Sequence, residues 1–200
     1  MPCATILAPS RRPGVLGLAL MFLCGCRAPT PSDSEVEGVR LNLPTSWSQV
    51  PKSTFPVPGT PLSAWKGPAG ASLVVFRTLP APGRTAKGLA EELANRMTNL
   101  PGVRVEVRRV ERLAGREVAR VEVVAPGVGD ALAPSGQGVP VAPAGKALVP
   151  TRRVTFGIPG AGPIRWLTWH FPESSRARVA PRVDAAVASL RWEDGTSSSY

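Results

Sequence analysis

The segment 163–171, PIRWLTWHF, constrains the fold most strongly because it is apolar on both faces of an extended strand. Alternate side chains of a strand point to opposite faces. One face carries Leu167, Trp169 and Phe171, and the other carries Ile164, Trp166, Thr168 and His170. A strand of this kind is stable only where both of its faces are covered. We therefore expect a sheet with packed elements on both sides.

Further apolar stretches predict the other strands of this sheet. Each one alternates apolar and polar residues or is rich in β-branched residues, and Pro or Gly bounds it, as is typical of strands. The predicted strands cover 39–43, which Pro44 stops, 71–79, the two arms of 103–125, and 151–158, which a turn at 159–162 joins to the next strand. Residues 51–70 contain many Pro and Gly and are predicted to be mostly loop.

The valines of 103–125 favour a hairpin with a three-residue loop, Leu113 to Gly115. This loop pairs Arg112 with Arg116 and ends on a glycine, which suits the left-handed conformation required there. In this register the valines gather on one face, which becomes the buried face. The guanidinium groups of the opposite face are suited to carboxylates and phosphates. We predict there a patch for an anionic partner, formed by Arg104, Arg108, Arg112, Arg116 and Arg120.

Two segments have the apolar spacing of helices that pack one face on a sheet. The first begins after Thr85, a typical N-cap residue, and ends at 101–102, Pro-Gly. The second contains Pro181, which either kinks a helix or occupies its first turn. The apolar stripes are Leu89, Leu93, Met97 and Leu100 in the first segment and Val179, Val183, Val187 and Leu190 in the second. Two helices on a mostly antiparallel sheet define an α+β domain.

The amino-terminal residues have the parts of an export signal in the usual order. Two arginines at 11–12 precede an uncharged apolar run at 14–23. A helix of that length spans about 15 Å, half of the bilayer core of about 30 Å, so the run is not a permanent span. The run ends in Leu23-Cys24-Gly25-Cys26, which resembles the lipobox of bacterial lipoproteins. The resemblance implies cleavage before Cys26, acylation of Cys26, for example by palmitate, and a domain outside the cytoplasm in the bacterial cell envelope.

The chain accordingly divides into a signal peptide at 1–25, an acylated cysteine with a flexible tether at 26–37, a single domain at 38–192 and a frayed tail at 193–200. Within the domain, 126–150 is of low complexity and is predicted to be a long loop. The formal charge of +10 falls to +8 once the two arginines of the signal are removed. Basic charge often indicates nucleic-acid binding, but a lipid-anchored protein outside the cytoplasm rarely meets nucleic acid, so we expect no nucleic-acid partner. We expect an envelope protein as partner, or an anionic lipid or polymer.

The predicted order of elements, with Leu43-Pro44 and Trp47 near the start and Ala188-Ser189-Leu190 near the end, resembles the PsbP-like fold over about 38–192. This superfamily includes the extrinsic subunit of photosystem II, a Ran-binding import factor of the Mog type and many small bacterial lipoproteins. The resemblance implies an α/β/α sandwich and a role in binding or assembly. It brings no shared catalytic residues, and the low-complexity loop departs from the family pattern.

The sequence contains no recognisable catalytic, metal or cofactor motif. His170 is the sole histidine and has no acidic neighbour in its strand, so it is interpreted as a structural residue. Cys24 and Cys26 lack two further ligands at a suitable spacing for a metal, and the glycines of 127–138 lack the lysine of a phosphate loop. We expect no cofactor and a non-enzymatic binding or assembly role towards a partner protein. The alternative left open is an enzyme that acts on an envelope polymer.

Replacing Cys26 by serine is expected to abolish lipid labelling of the full chain, because serine has no sulfur for the acyl group. Metabolic labelling with a fatty acid, followed by the intact mass of the mature protein, measures this. Cys3→Ser is the matched control and should be labelled like the parent chain. Label that persists in Cys26→Ser would contradict the assignment.

Overall fold

The computed structural model describes residues 32–36, 38–55, 57–127 and 148–192. In these ranges the chain forms strands and helices in the order β1 Ser32–Val36, β2 Val39–Leu43, β3 Ser48–Val50, β4 Thr60–Lys66, β5 Ser72–Pro80, α1 Ala86–Thr98, β6 Arg104–Leu113, β7 Arg116–Gly127, β8 Val149–Ile158, β9 Pro163–Pro172, α2 Arg176–Ala188 and β10 Arg191–Trp192. The predicted signal peptide, Cys26, the residues 128–147 and the predicted tail at 193–200 lie outside the described residues.

The described strands form two antiparallel sheets. The main sheet has the order β3-β4-β5-β9-β8-β7-β6, and the small sheet has the order β1-β2-β10. The two predicted hairpins, β6–β7 and β8–β9, form one half of the main sheet. Strand β5 pairs with β9 from Ser72 opposite His170 to Thr78 opposite Ile164, so β9 is an inner strand, as its composition predicts.

Both faces of β9 are buried. On one face, Leu167, Trp169 and Phe171 are at most 1% exposed and pack with α2 and with strand β2 of the small sheet. On the opposite face, Ile164 and Trp166 pack with the apolar stripe of α1. The predicted α+β class is confirmed, with α1 on one side of the main sheet and α2 with the small sheet on the other.

The two helices lie where their spacing predicts. Helix α1 begins after Thr85, whose hydroxyl accepts a hydrogen bond from the Gly88 amide at 3.1 Å and so caps the helix. Helix α2 follows a short 3₁₀ turn at Glu173–Ser175 and contains Pro181 within its length. The exposed ring of Pro181 therefore lies inside α2 on its solvent side, rather than in the first turn.

The predicted loop region 51–70 contains a strand. Thr60–Lys66 forms β4 and pairs with β5, although 51–70 was expected to be mostly loop. Pro61 misleads the sequence pattern: it lies at a register irregularity of the β4–β5 pair, where a strand tolerates a residue without an amide hydrogen. The side chains of Leu62, Ala64 and Trp65 are buried, and their packing stabilises β4 in the sheet.

Strand pairing includes the ends of both the predicted tether and the predicted long loop. Ser32–Val36, inside the tether at 26–37, pairs with β2 as strand β1. At the loop 126–150, Pro126 lies opposite Pro150 and Gly127 opposite Val149, because the β7–β8 pairing continues to those residues. Backbone pairing, which composition does not report, decides both limits.

The β6–β7 hairpin has a two-residue turn instead of the predicted three-residue loop. Leu113 lies opposite Arg116, and Ala114 and Gly115 form the turn with φ of 45° and 85°. Positive φ at both positions defines the turn whose twist matches that of the flanking strands. Arg112 therefore faces Glu117, not Arg116.

A β-bulge at Glu106 returns the residues of β6 that precede it to the predicted register with β7. Val105 lies opposite Val123, whereas Val107 lies opposite Glu122, so one extra residue separates the two registers. Val105 and Val123 share the α1 face as predicted, but Val107 lies on the α2 face. The prediction assumed one register along the whole hairpin, which a bulge breaks.

The bulge also places the carboxylate of Glu106 beside Arg152, which is 1% exposed on the α2 face. Arg152 donates to Glu106 at 2.5 Å, to Glu122 at 3.1 Å and to Glu173 at 2.7 and 2.9 Å. The hydrogen bonds with Glu173 raise the pKa of Arg152 and outweigh the opposing effect of burial. Hydrogen bonds from Arg152 and then Arg104 lower the pKa of Glu106. The cluster ties β6, β7 and β8 to the turn that precedes α2.

Arg152→Met is expected to lower the free energy of unfolding by about 3–5 kcal/mol, because it leaves three carboxylates without their buried partner. Urea denaturation at neutral pH measures the change. Arg178→Met, at an exposed position of α2, is the matched control and should stay within about 0.5 kcal/mol of the parent chain. Equal stability of the two variants would mean that the Arg152 cluster contributes nothing.

Candidate functional site

Helix α1 does not cover the whole of its face of the main sheet. Its 13 residues span about 20 Å, and it packs on β6, β7 and β8. Beside it, over β5, β9 and β8, the structure contains a cavity of about 300 Å³. The loop between β5 and α1 and the residues before β4 form its rim.

The floor of the cavity is built by side chains that lie side by side on neighbouring strands. Val74, Thr168 and Thr155 follow one another across β5, β9 and β8, and the hydroxyl of Thr168 donates to that of Thr155 at 3.3 Å. The next row holds Phe76 and Trp166, whose rings stack with centroids 6.2 Å apart. The floor is therefore mainly apolar, with one buried pair of hydroxyls.

Trp166 lies flat across three strands of the floor. Its six-membered ring covers Gly157 on β8, where an added Cβ would come within 2.6 Å of the indole. Its Nε1 donates to the Thr78 hydroxyl on β5 at 3.1 Å. The glycine opposite Trp166 thus permits the close approach, and the hydrogen bond fixes the plane of the ring.

One end of the floor is polar. His170 is 7% exposed and lies opposite Arg153 on β8 and opposite Ser72 on β5. Burial lowers the pKa of His170 well below its usual 6.5, and the charge of Arg153 lowers it further. Burial also lowers the pKa of Arg153 to about 10. At neutral pH this end of the cavity therefore holds a neutral imidazole beside a cation.

The rim combines an exposed apolar side chain with an ion-paired group. Leu79, the second-last residue of β5, is 85% exposed. On α1, Glu92 pairs with Arg84 and accepts from Arg96 at 2.9 Å. Three arginines and one glutamate line the cavity, so its lining carries an excess of positive charge.

The lining determines which chemistry the cavity supports. Among the described residues that line it, Glu92 is the single carboxylate, and no described residues group three His, Cys, Asp or Glu side chains as a metal site would require. His170 was interpreted from the sequence as a structural strand residue; it is buried in β9 as that interpretation expects, yet it also faces the cavity. The arrangement can enclose an apolar group and present a cation and hydrogen-bonding groups at one end.

The five arginines of the predicted patch do not share one face. Arg108 lies opposite Val121 and Arg112 is two alternations further along β6, so both lie on the α1 face. The remaining three, on the α2 face, are Arg104, Arg116 and Arg120. The two-residue turn causes this division, because it shifts the outer half of β6 by one residue relative to β7.

The arginines on the α2 face contact neighbours within the chain. The Arg120 side chain is 14% exposed and lies 5.3 Å from the centre of the Phe156 ring. Its carboxylate partners are Glu111, Glu122 and Asp184. Arg116 lies 5.0 Å from the centre of the Trp192 ring, and Arg104 pairs with Glu106. Contact of any of the five with an anionic partner stays a prediction.

Sequence reasoning did not find the cavity. The signal that could have indicated it is the pair Thr168 and His170 on a face of β9 that is otherwise apolar. Polar side chains on a covered face imply either internal partners or a space that a polar group enters. The extent of that space depends on how far α1 reaches across the sheet, which the periodicity of α1 does not specify.

Comparisons with known proteins bear on the fold. No protein-family model and no curated protein matches the chain. The solution structure of cyanobacterial PsbP (CyanoP) from Synechocystis sp. PCC 6803 is similar, with a TM-score of 0.54 and 11% identity over 92% of this chain and 99% of that chain. The crystal structure of LpqN, involved in cell envelope biogenesis of Mycobacterium tuberculosis, has a TM-score of 0.48 and 16% identity over 80% of this chain and 83% of that chain. The similarity to CyanoP shows that the domain has a PsbP-like fold.

Lowering the pH below about 6.5 is expected to destabilise the protein through His170. The folded chain keeps the imidazole neutral, whereas the unfolded chain binds a proton near the usual pKa of histidine. The contribution of neutral His170 to the free energy of unfolding is therefore complete above pH 6.5 and is lost as the pH falls. The loss amounts to about 1 kcal/mol between pH 6.5 and 5.5. Urea denaturation across this range measures it.

The control for this prediction is His170→Gln, which keeps a polar side chain without a titrating group. The charged groups that share the cavity with His170 are Arg84, Glu92, Arg96 and Arg153, and they remain in the variant. The slope of stability against pH should therefore flatten in His170→Gln. An unchanged slope would assign the pH dependence to carboxylates elsewhere.

Proposed function

We propose that this protein is a non-enzymatic binding protein of the bacterial cell envelope. In this proposal, acylated Cys26 attaches the chain to the membrane, the α+β domain lies outside the cytoplasm, and the cavity beside α1 receives an apolar group of an envelope partner. The export signal and the lipobox-like Leu23-Cys24-Gly25-Cys26 support the location. Neither described helix is long and apolar enough to cross a bilayer.

The cavity is the observation that carries the binding role. Ligand sites in proteins are concave, about 300–1,000 Å³ in volume, and lined mainly by apolar and aromatic side chains with a few polar groups. The cavity has this volume and this lining, with Phe76 and Trp166 in the floor and Arg153 and His170 at one end. Leu79 stands exposed at its rim, where a partner that enters the cavity would contact it.

The same lining argues against the enzymatic alternative. Hydrolysis of an envelope polysaccharide requires two carboxyl groups on either side of the bond to be cleaved. The described lining of the cavity offers Glu92 alone, and that carboxylate is engaged by Arg84 and Arg96. The described residues of the cavity therefore favour binding over this reaction.

A photo-crosslinking residue in place of Leu79 tests the proposed function in the full chain within intact membranes. Irradiation is expected to give one discrete adduct with an envelope component, whose mass identifies the partner. Ala81 lines the same rim, and Ala81→Trp should block the entrance and reduce the adduct about fivefold or more, since bulk in a closely packed site excludes the partner.

The matched control is Ala185→Trp, which places the same bulky ring at an exposed position of α2 on the opposite side of the main sheet. This variant should give the adduct of the parent chain. An adduct that Ala81→Trp leaves unchanged would mean that the partner binds elsewhere. No adduct from membranes that contain the anchored chain would contradict the binding role.

A further inference from the structure

We infer that the exposed side of α2 that carries Arg178 and Arg182 is a membrane-docking surface, which binds anionic head groups of the lipid layer that holds the anchor. This inference rests on the proposed function, because it assumes that the chain is attached to a membrane through Cys26. It goes further by naming the face of the domain that meets the lipid and the chemistry of the contact.

The solvent side of α2 has an excess of positive charge. Its exposed charged residues are three arginines, Arg176, Arg178 and Arg182, and one carboxylate, Asp184. The other exposed residues of the helix are uncharged alanines and Pro181. Arg178 and Arg182 are four residues apart, so they lie side by side on the same side of the helix. The helix therefore presents two adjacent guanidinium groups to solvent.

The carboxylates close to α2 contact other arginines of the described residues. Asp184 lies about 200° further around the helix than Arg182 and contacts Arg120 of β7 at 3.2 Å. Glu173, in the turn before α2, accepts from Arg152 at 2.7 Å. Within the described part of the chain, no carboxylate forms an ion pair with either of the two adjacent arginines of α2. An external anion can therefore reach both guanidinium groups.

The chain enters the fold beside the carboxyl-terminal end of α2. Ser32, the first residue of β1, lies opposite Leu43 on β2. The neighbouring amide of Asn42 donates a hydrogen bond at 2.9 Å to the hydroxyl of Ser189, the C-cap residue of α2. Only the width of β2 therefore separates the start of β1 from the end of this helix. An anchor at Cys26 would act next to that end.

The short connection to the anchor brings α2 within reach of lipid charge. The residues between Cys26 and Ser32 are 27–31, and even fully extended they hold the fold no further than about two Debye lengths from the membrane at physiological ionic strength. Arg182 precedes Ser189 by about 10 Å along the helix axis. Anionic lipid attracts basic residues that lie this close to its surface.

The small sheet is nearer to the anchor, but its charges cancel. The charged residues of its strands are Asp33, Glu35, Arg40 and Arg191. Helix α2, in contrast, carries three arginines and one aspartate. A guanidinium group also donates two parallel hydrogen bonds to one phosphate, which suits it to lipid head groups. The basic side of α2 is therefore the part of this layer that binds anionic lipid.

The experiment uses the mature chain of the proposed function, 26–200, with Cys26→Ser, so that binding reports the surface and not the anchor. Co-sedimentation compares vesicles of phosphatidylcholine alone with vesicles that also contain phosphatidylglycerol, whose head group has a net negative charge. The chain is expected to bind the anionic vesicles at low salt and to dissociate as salt screens the attraction. Arg178→Gln together with Arg182→Gln should lower the partition coefficient about tenfold or more, since each arginine contributes roughly fivefold.

The matched control is Arg108→Gln together with Arg112→Gln. These two arginines are exposed on the α1 face of β6, on the opposite side of the main sheet from α2. The control removes the same charge, but from a face that does not meet the vesicle. It should lower the partition coefficient by about twofold at most, because the screened potential of the membrane is weak at that distance.

A photo-crosslinking residue in place of Ala185 tests the same surface in the full chain within intact membranes. Ala185 is an exposed residue of α2, three positions after Arg182. Irradiation should give an adduct with the mass of a phospholipid, and the double substitution at Arg178 and Arg182 should reduce it several-fold. The same crosslinking residue at Leu79, on the opposite side of the main sheet, should not give the phospholipid adduct.

The outcomes separate this inference from the proposed function. The inference is overturned if the parent chain does not bind anionic vesicles at low salt, or if the two double variants lose equal affinity, since binding would then follow net charge alone. A protein adduct at Ala185 instead of a lipid adduct would make α2 a protein-binding surface. Any of these results, with Cys26 labelled by lipid and an adduct at Leu79, leaves the proposed function intact. An unlabelled Cys26 would remove the anchor on which both proposals depend.

Discussion

The architecture depends on one requirement: β9 is apolar on both faces, and water must be excluded from both. On one face, α2 and the small sheet together meet this requirement, and Trp169 and Leu167 are completely buried. On the other face a single helix of 13 residues must serve a sheet whose outer strands are about 29 Å apart. Helix α1 packs on β6, β7 and β8, and the cavity lies beside it over β5, β9 and β8, where its length leaves the sheet uncovered.

The two faces of the main sheet therefore carry charge in different ways. On the α2 face, Arg152 is surrounded by three carboxylates, so its charge is balanced and the group serves to fix strands in place. On the α1 face, Arg153 is the next residue of the same strand, and its neighbours across the sheet are His170 and Val123. Two adjacent arginines of β8 thus lie in different surroundings: Arg152 contacts carboxylates inside the fold, and Arg153 lines the cavity on the other face.

Much of the fold follows from the sequence, and the misses have specific physical causes. Alternation and helical spacing located β9, β5, both hairpins and both helices, since burial imposes those periods directly. The tip of the β6–β7 hairpin was wrong because the bulge at Glu106 permits two registers in one hairpin, so sorting the valines did not determine how Arg112 and Arg116 pair. Strand β4 was missed because Pro61 suggested loop. The cavity could not be predicted, because it results from the length of one element relative to another and not from any local pattern.

Strand β1 has a consequence for how the domain would sit on a membrane. It begins at Ser32 and is paired into the small sheet, so five residues, 27–31, separate the fold from Cys26. Fully extended, they span at most about 18 Å. An anchor at Cys26 would therefore keep the small sheet within about that distance of the lipid head groups. The domain would rotate about the small sheet. The mouth of the cavity lies on the opposite side of the main sheet and would face away from the anchor.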